Sequence, residues 1–102
     1  MKTLKEIEKI LKENKAILAE RFKVQEIGIF GSYVRGEQKK KSDVDIFVEF
    51  SEPVSLLHLA GLENFLTDLI GIKADIGTKK SLKPRIKEQV LKEAVIIPVG
   101  EK

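Results

Sequence analysis

Apolar residues near the start of the chain recur at three-to-four-residue spacing, which is the pattern of one apolar helix face. The residues that carry it are Leu4, Ile7, Leu11, Ile17, Leu18 and Phe22. Thr3 precedes this series, and Glu6 stands three residues after Thr3. This combination is typical of a capping box. The pattern predicts one amphipathic helix over residues 3–22.

Two segments in the first half of the chain have the pattern of strands. Residues 24–30 form a short, largely apolar run that ends directly at Gly31-Ser32, whereas residues 43–50 alternate strictly. One face of the alternating segment carries Val44, Ile46, Val48 and Phe50. The opposite face carries Asp43, Asp45, Phe47 and Glu49. Between the strands, residues 33–36 fit a short helical turn that stops at Gly36, and residues 37–42 form a charged loop.

The second half predicts two further helices and one or two strands. A helix follows Pro53 and Ser55, with its apolar side between Leu56 and Ile70, and ends at Gly71. A third strand is predicted over residues 72–77, a last helix begins at Pro84, and residues 95–99 add an edge segment limited by Pro98. The whole chain, residues 1–102, is therefore expected to be one α/β (α+β) domain with a small three- to four-stranded sheet and helices packed on it.

Composition narrows the chemistry that such a domain can perform. The 102 residues include no cysteine and one histidine, His58, which removes disulfides and thiolate chemistry and argues against histidine-based catalysis. The start does not have the pattern of a signal peptide, and no apolar run approaches the length that spans a bilayer. We therefore expect a soluble, cytoplasmic protein without membrane contact.

The net charge of +3 is small, and the basic residues are local clusters. Lys79, Lys80, Lys83 and Arg85 are candidates to contact phosphates or an acidic partner, with a solvated basic face as the alternative. The chain has one tyrosine and no tryptophan, so basic patches interleaved with stacking aromatics are not evident. Nucleic-acid binding is therefore not expected, except that binding to its own promoter stays open.

The carboxylates are the strongest candidates for chemistry. Asp43 and Asp45 stand two apart on a predicted strand and so leave one face about 6–7 Å apart. Oxygen ligands without His or Cys suit Mg²⁺ or Mn²⁺, while two solvated acids are the alternative for this pair alone. Asp75 lies on a different strand. If the two strands are neighbours, three carboxylates converge in the way that two-metal phosphoryl transfer requires.

Gly31-Ser32 follows a buried strand and opens a helical turn. Backbone N–H groups and a hydroxyl in that place form an anion site, and glycine lets a phosphate approach closely. A tight turn with Ser32 as the helix N-cap is the alternative. Neither a P-loop nor a dinucleotide motif is present.

The combination of these features resembles a known family. Gly31-Ser32, ten residues, Asp43-x-Asp45 and a later strand carboxylate at Asp75 are similar to the polymerase-β-like nucleotidyltransferases. Gly31-Ser32-Tyr33-Val34-Arg35-Gly36 with residues 42–46, and the ending over residues 82–95, closely resemble the minimal nucleotidyltransferases (MNT) of prokaryotes. The resemblance covers nearly the whole chain and implies the nucleotidyltransferase fold.

The resemblance also implies roles for individual residues. Gly31 and Ser32 would hold a nucleotide triphosphate, and Asp43 and Asp45 would bind two Mg²⁺ ions, with Mn²⁺ as the alternative metal. Asp75 would share a metal and help to activate the attacking hydroxyl. Arg35, which matches the family motif, would contact phosphate or instead pair with a carboxylate.

At the level of function, the resemblance implies the antitoxin of a type VII toxin–antitoxin pair. Such a protein would transfer AMP from ATP, or from another NTP, to a hydroxyl of a HEPN ribonuclease toxin, with tyrosine the expected acceptor, and would form a hetero-oligomer with it. The alternative is an antitoxin that neutralises its partner by complex formation without catalysis. The larger relatives carry additional nucleotide-binding and primer-gripping domains that this chain lacks, which argues against templated synthesis.

Overall fold

The computed structural model describes residues 2–100. It contains five α-helices, which are α1 Leu4–Glu13, α2 Lys15–Glu20, α3 Ser32–Arg35, α4 Leu56–Ile70 and α5 Pro84–Glu93. It contains four strands, which are β1 Val24–Phe30, β2 Val44–Phe50, β3 Ala74–Thr78 and β4 Val95–Pro98. A short 3₁₀ turn, Lys79–Ser81, follows β3. Within this part of the chain, no helix is long and apolar enough to cross a bilayer.

The single helix predicted over residues 3–22 is wrong, because the chain breaks at Asn14 into α1 and α2. The side-chain amide of Asn14 donates to the carbonyl oxygen of Ile10 at 2.8 Å, which is the carbonyl that its backbone N–H would use in a continuous helix. The backbone N–H bonds Leu11 instead. In α2, Leu18 is buried and Ile17 is 42% exposed, although the spacing places Ile17 on the apolar face. The predicted capping box between Thr3 and Glu6 is confirmed.

The four strands form one mixed sheet in the order β3-β2-β1-β4. β1 runs antiparallel to both β2 and β4, while β2 and β3 are parallel neighbours. This confirms the α/β fold class and the small mixed sheet, and β4 is the predicted edge strand that ends at Pro98. The parallel pairing requires a crossover, which α4 supplies.

The two faces of the sheet have different roles. One face packs against α1, α2 and α4. The core between the helices and this face includes the buried side chains Ile7, Leu11, Leu18, Ile27, Ile29, Ile46, Val48, Leu62, Leu66 and Ile97. Because side chains alternate along a strand, the acidic positions of β2 and β3 lie on the opposite face. The apolar core on the first face thus fixes the strands, and the opposite face carries the acidic side chains together with the buried ring of Phe47.

Two further sequence predictions need correction. The third strand begins at Ala74 and not at residue 72, because Gly71 ends α4 in a left-handed conformation and the next two residues reverse the chain. Leu56 was placed on the apolar side of α4, but it is 85% exposed and Leu57 is 84% exposed. In the first turn of α4, His58 packs against Phe22 and Phe50, while these two leucines face outward. The fully buried side chains of the helix begin at Leu62.

Replacing Gly28 by alanine is expected to destabilise the fold by about 1–3 kcal/mol, the usual range for overpacking a core. A Cβ at this position would overlap the ring of Phe47, which is fully buried on the acidic face of the sheet. Urea unfolding of the two proteins would measure the difference.

The matched control is Gly61→Ala in α4, where a Cβ meets no atom within 4 Å. This change should be neutral or should stabilise the protein by about 0.5–1 kcal/mol, since alanine favours the helix. Equal stability of the wild type and Gly28→Ala would contradict the packing of Phe47 over Gly28.

Candidate functional site

The carboxylates predicted from the sequence come together at one end of the sheet. Asp45 of β2 is the direct register partner of Asp75 of β3, and parallel neighbours in register present their side chains on the same face. Asp43 lies one residue before β2. The conditional expectation that the two strands are neighbours is therefore met, and it is the pairing that brings Asp75 to Asp45.

Electrostatics distinguish Asp45 from the other two acids. Burial raises the pKa of the Asp45 carboxyl above its usual range, and the negative charges of Asp75 and Asp43 raise it further. The guanidinium of Arg35 acts in the opposite direction. Asp43 and Asp75 are exposed, whereas Asp45 is half-buried. Three acids that repel one another favour a cation between them.

Gly31 sits directly against this cluster. It has φ +82° and ψ −152°, a conformation that side chains other than glycine's hydrogen rarely allow. A Cβ on Gly31 would overlap Oδ2 of Asp45, so the glycine is needed both for the turn and for the approach of the carboxylate. The structure thus joins two motifs that the sequence separates by more than ten residues.

Ser32 is the first residue of α3, and the expected stop at Gly36 is confirmed by its left-handed φ of +70°. The alternative in which Ser32 is the N-cap is wrong, because Gly31 occupies that position and no side-chain cap bond forms. The carbonyl of Gly31 instead accepts from the N–H groups of Val34 and Arg35 at 3.1 and 3.2 Å. The Ser32 hydroxyl is thus not used as a helix cap.

Arg35 pairs with two carboxylates in this structure. Its Nε donates to Glu37 at 2.9 Å and its Nη1 donates to Glu93 of α5 at 3.0 Å. The hydrogen bond to Glu37 and the charges of both acids raise the pKa of Arg35 further. Of the two roles left open for Arg35, the structure displays the pairing with carboxylates, and the guanidinium still lies near enough to Asp45 to influence its charge.

Two contacts of this region have no signal in the sequence. Glu93 is 58 residues from Arg35 along the chain and lies in an ordinary amphipathic helix pattern. Lys79, one of the candidate phosphate contacts, forms an ion pair with Glu26 of β1 at 3.6 Å. Lys80, Lys83 and Arg85 are exposed. Long-range pairs of this kind could have been found only by a covariation signal between the positions.

The fit of a metal ion can be judged from the donor set. Across residues 2–100, no three acidic or histidine side chains are arranged as a ready-made metal site. Mg²⁺, however, takes one or two protein carboxylates and completes its shell with water and substrate phosphates. Asp43, Asp45 and Asp75 supply oxygen ligands only, and their mutual repulsion is relieved by a cation. The residues present therefore fit Mg²⁺ that completes its shell with water and substrate phosphates.

The sequence of this chain is similar to a known family and to named relatives. A family model described as a nucleotidyltransferase domain matches residues 4–97. Protein adenylyltransferase MntA of Thermococcus cleftensis is 54% identical, over 95% of this chain and 98% of its own length. MJ1217 of Methanocaldococcus jannaschii is 51% identical, over 95% of this chain and 100% of its own length.

Three solved structures are similar in fold. One described as a minimal nucleotidyltransferase has a TM-score of 0.66 and 37% identity, covering 87% of this chain and 93% of that one. A chain of a toxin–antitoxin complex with AMP-PNP has a TM-score of 0.67 and 29% identity, with coverages of 84% and 72%. A chain of a complex between a tri-AMPylated Shewanella oneidensis HEPN toxin and its MNT antitoxin has a TM-score of 0.57 and 26% identity, with coverages of 84% and 68%.

Proposed function

This chain belongs to the nucleotidyltransferase domain family, among the minimal nucleotidyltransferases, and we propose that it transfers AMP from ATP to a hydroxyl of a partner HEPN toxin. In this proposal the partner's acceptor is a tyrosine, and the modification neutralises the toxin. The chain would then act as the antitoxin of the pair and associate with its partner as a hetero-oligomer.

One observation carries the proposal. Asp45 and Asp75 are register partners on the face of the sheet where Asp43 also lies, and Gly31 is in contact range of the Asp45 carboxylate. Carboxylates of the kind that bind metals therefore stand beside a turn of the kind that binds phosphate, and this juxtaposition supports transfer of a nucleotide. In the proposed assignment, Gly31 and Ser32 hold the triphosphate.

The chemical step is an in-line substitution at phosphorus. The acceptor hydroxyl oxygen forms a bond to the α-phosphorus of ATP while the bond from that phosphorus to the α,β-bridging oxygen breaks. Pyrophosphate leaves with the bonding electron pair, and the hydroxyl proton passes to a carboxylate. We assign this acceptance of the proton to Asp75, which is exposed and lies across the strand pair from Asp45.

The metal assignment follows the donor set described above. Asp43 and Asp45 would hold two Mg²⁺ ions, one of them shared with Asp75. When bound, Mg²⁺ supplies positive charge that offsets the charge developing on the phosphate oxygens. Arg35, whose charge already acts on Asp45, would contact a phosphate if the nucleotide displaced it from Glu37 or Glu93.

The identity of the partner is supported by similar proteins. A relative at 54% identity is named a protein adenylyltransferase, and a similar chain was solved in complex with an AMPylated HEPN toxin. The AMP-PNP in another similar complex supports an adenine nucleotide as the donor. Comparing ATP with GTP, CTP and UTP as donors would test that preference directly.

Incubation with a HEPN toxin, Mg²⁺ and [α-³²P]ATP is expected to label the toxin, whereas [γ-³²P]ATP is not. Label from the α-phosphate alone is the signature of AMP transfer, since the γ-phosphate leaves with pyrophosphate. Asp43→Ala should reduce the labelling rate on the order of a thousandfold, because it removes a carboxylate that would hold Mg²⁺ at the reacting phosphate. EDTA should abolish labelling in the wild type.

Glu49→Gln is the matched control, since Glu49 is an exposed acid on β2, the strand that Asp43 precedes. It should label the toxin at the wild-type rate. Transfer that persists in Asp43→Ala would overturn the site. If Asp43→Ala failed to transfer AMP but neutralised the toxin as well as the wild type, complex formation alone would explain neutralisation.

A further inference from the structure

Strand β3 lies at an open edge of the sheet, and it pairs only with β2 in the part of the chain that the structure describes. Successive residues of a parallel strand bond alternately to opposite sides. Lys73, just before β3, accepts a hydrogen bond from Val44 of β2 at 2.9 Å. By that alternation, the N–H groups of Ala74 and Ile76 point away from β2, toward the open edge.

Side chains of α4 satisfy both of these outward donors. The N–H of Ala74 donates to Oγ1 of Thr67 at 3.1 Å, and the N–H of Ile76 donates to Oε2 of Glu63 at 3.4 Å. Both contacts are partly buried. We call this pair of contacts the edge clip. A free strand edge is thereby closed by side chains of the crossover helix and not by another strand.

The distance between the two acceptor residues on α4 is close to the distance between the two donor residues on β3. Glu63 and Thr67 are one turn apart on α4, a rise of about 6 Å. Ala74 and Ile76 are two residues apart on β3, about 6.6 Å. The helix runs opposite to the strand, so the earlier helix residue meets the later strand residue. Asp75 is the residue between the two clipped amides.

We propose that Thr67 and Glu63 are positioning residues that hold Asp75 in register with Asp45 for the transfer reaction. The inference rests on the proposed function, in that it assigns Asp75 a role in the chemistry. A five-residue edge strand that leads directly into a 3₁₀ turn has little else to fix it on its outer side. The like charges of Asp45 and Asp75 also repel each other across the strand pair, and the edge clip opposes that separation.

The test uses variants that keep shape and remove the acceptor. Thr67→Val retains the branched side chain without its hydroxyl, and Glu63→Leu removes the carboxylate. Thr67→Ser and Glu63→Gln keep an acceptor oxygen and are the conservative rescues. Amide exchange at Ala74 should rise about tenfold in Thr67→Val, while exchange at Ile27 in the centre of the sheet stays unchanged and reports intact folding.

In transfer assays, Thr67→Val and Glu63→Leu should lower kcat about tenfold, with the KM for ATP within twofold of the wild type. A kcat effect of this kind is expected because Asp75 acts on the acceptor, whereas the Gly31-Ser32 turn is untouched. Thr67→Ser and Glu63→Gln should restore kcat.

A second readout is independent of catalysis, namely the backbone ¹⁵N and ¹H shifts of Asp75 in the protein alone. These shifts should change in Thr67→Val and return toward wild-type values in Thr67→Ser. Unchanged shifts at Asp75, or a wild-type kcat in Thr67→Val, would overturn the positioning role. If the wild type transferred no AMP, the proposed function would fail, and the shifts of Asp75 would still decide whether the edge clip sets its position.

Discussion

Replacing Gly31 by alanine is expected to lower the transfer rate on the order of a hundredfold and to destabilise the protein. The backbone conformation of Gly31 is one that a Cβ strains by about 1–3 kcal/mol. The added methyl group would also overlap Oδ2 of Asp45, so either the turn or the carboxylate must move. A displacement of about 1 Å in a reacting group costs on the order of a hundredfold in rate. Labelling of the partner toxin and urea unfolding measure the two effects.

Gly71→Ala separates the effect of backbone strain from the effect of the overlap with Asp45. Gly71 also has a positive φ, +81°, but it ends α4, and the nearest atom to its Cβ is the Lys2 ammonium nitrogen at 3.9 Å. This variant should lose about 1–2 kcal/mol of stability from the left-handed backbone and keep its transfer rate. A Gly31→Ala protein that transferred AMP as fast as Gly71→Ala would contradict the contact between the turn and the carboxylate.

Replacing Asp45 by asparagine is expected to remove activity and to raise stability. Loss of this carboxylate should lower the transfer rate on the order of a thousandfold. In buffer without divalent cations, however, the variant should be more stable than the wild type at pH 7, by about 0.5–1 kcal/mol. The reason is that asparagine stays neutral, whereas ionised Asp45 is half-buried and repelled by Asp75 and Asp43.

The stability difference should depend on pH in a defined direction. The folded-state pKa of Asp45 is raised, so the folded protein holds this proton more tightly than the unfolded chain does. The free energy of unfolding of the wild type therefore falls, relative to that of Asp45→Asn, as the pH rises from below about 4 through the folded-state pKa. At lower pH, where Asp45 is protonated in both states, the two proteins should converge.

Unfolding at pH 3, 5 and 7 in the presence of EDTA would measure this trend. Glu49→Gln is the control for removing one charge from the same strand, and it should follow the wild type at each pH. A variant at Asp45 that was less stable than the wild type at pH 7 would contradict the account of repulsion at the cluster. Retained transfer would contradict the assignment of Asp45 to the site.

Much of the fold follows from local patterns. The strict alternation over residues 43–50 determined which face of β2 carries Asp45, because side chains alternate along any strand. Pro84 at the first turn of α5, and the glycines after α3 and α4, mark boundaries that the structure confirms. These signals succeed because each depends on the conformational limits of one or two residues.

The predictions that were wrong relied on the spacing of apolar residues in helices. The spacing of apolar residues across Asn14 is helical, yet one amide side chain takes a backbone carbonyl and breaks the helix. Leu56 fits the periodicity of α4, yet it is 85% exposed, and it is His58 in the same turn that packs against Phe50 of β2. The periodicity of apolar residues predicts which side chains lie on one face of a helix. It does not predict which of those side chains the rest of the protein covers.

The sequence by itself determined the kind of chemistry available to this protein. Without cysteine, and with a single histidine, the groups left for chemistry are carboxylates, hydroxyls, lysines and backbone amides. The order of the glycine-serine turn and the carboxylates along the chain resembles a nucleotidyltransferase. Only the tertiary structure decided that β2 and β3 are parallel neighbours in the register that sets Asp75 beside Asp45. Strand pairing depends on contacts between residues far apart in the chain, and local propensity does not encode them. The same holds for the close approach of Gly31 to Asp45 and for the closure of the β3 edge by Thr67 and Glu63, which exist only once the helix and the sheet have packed together.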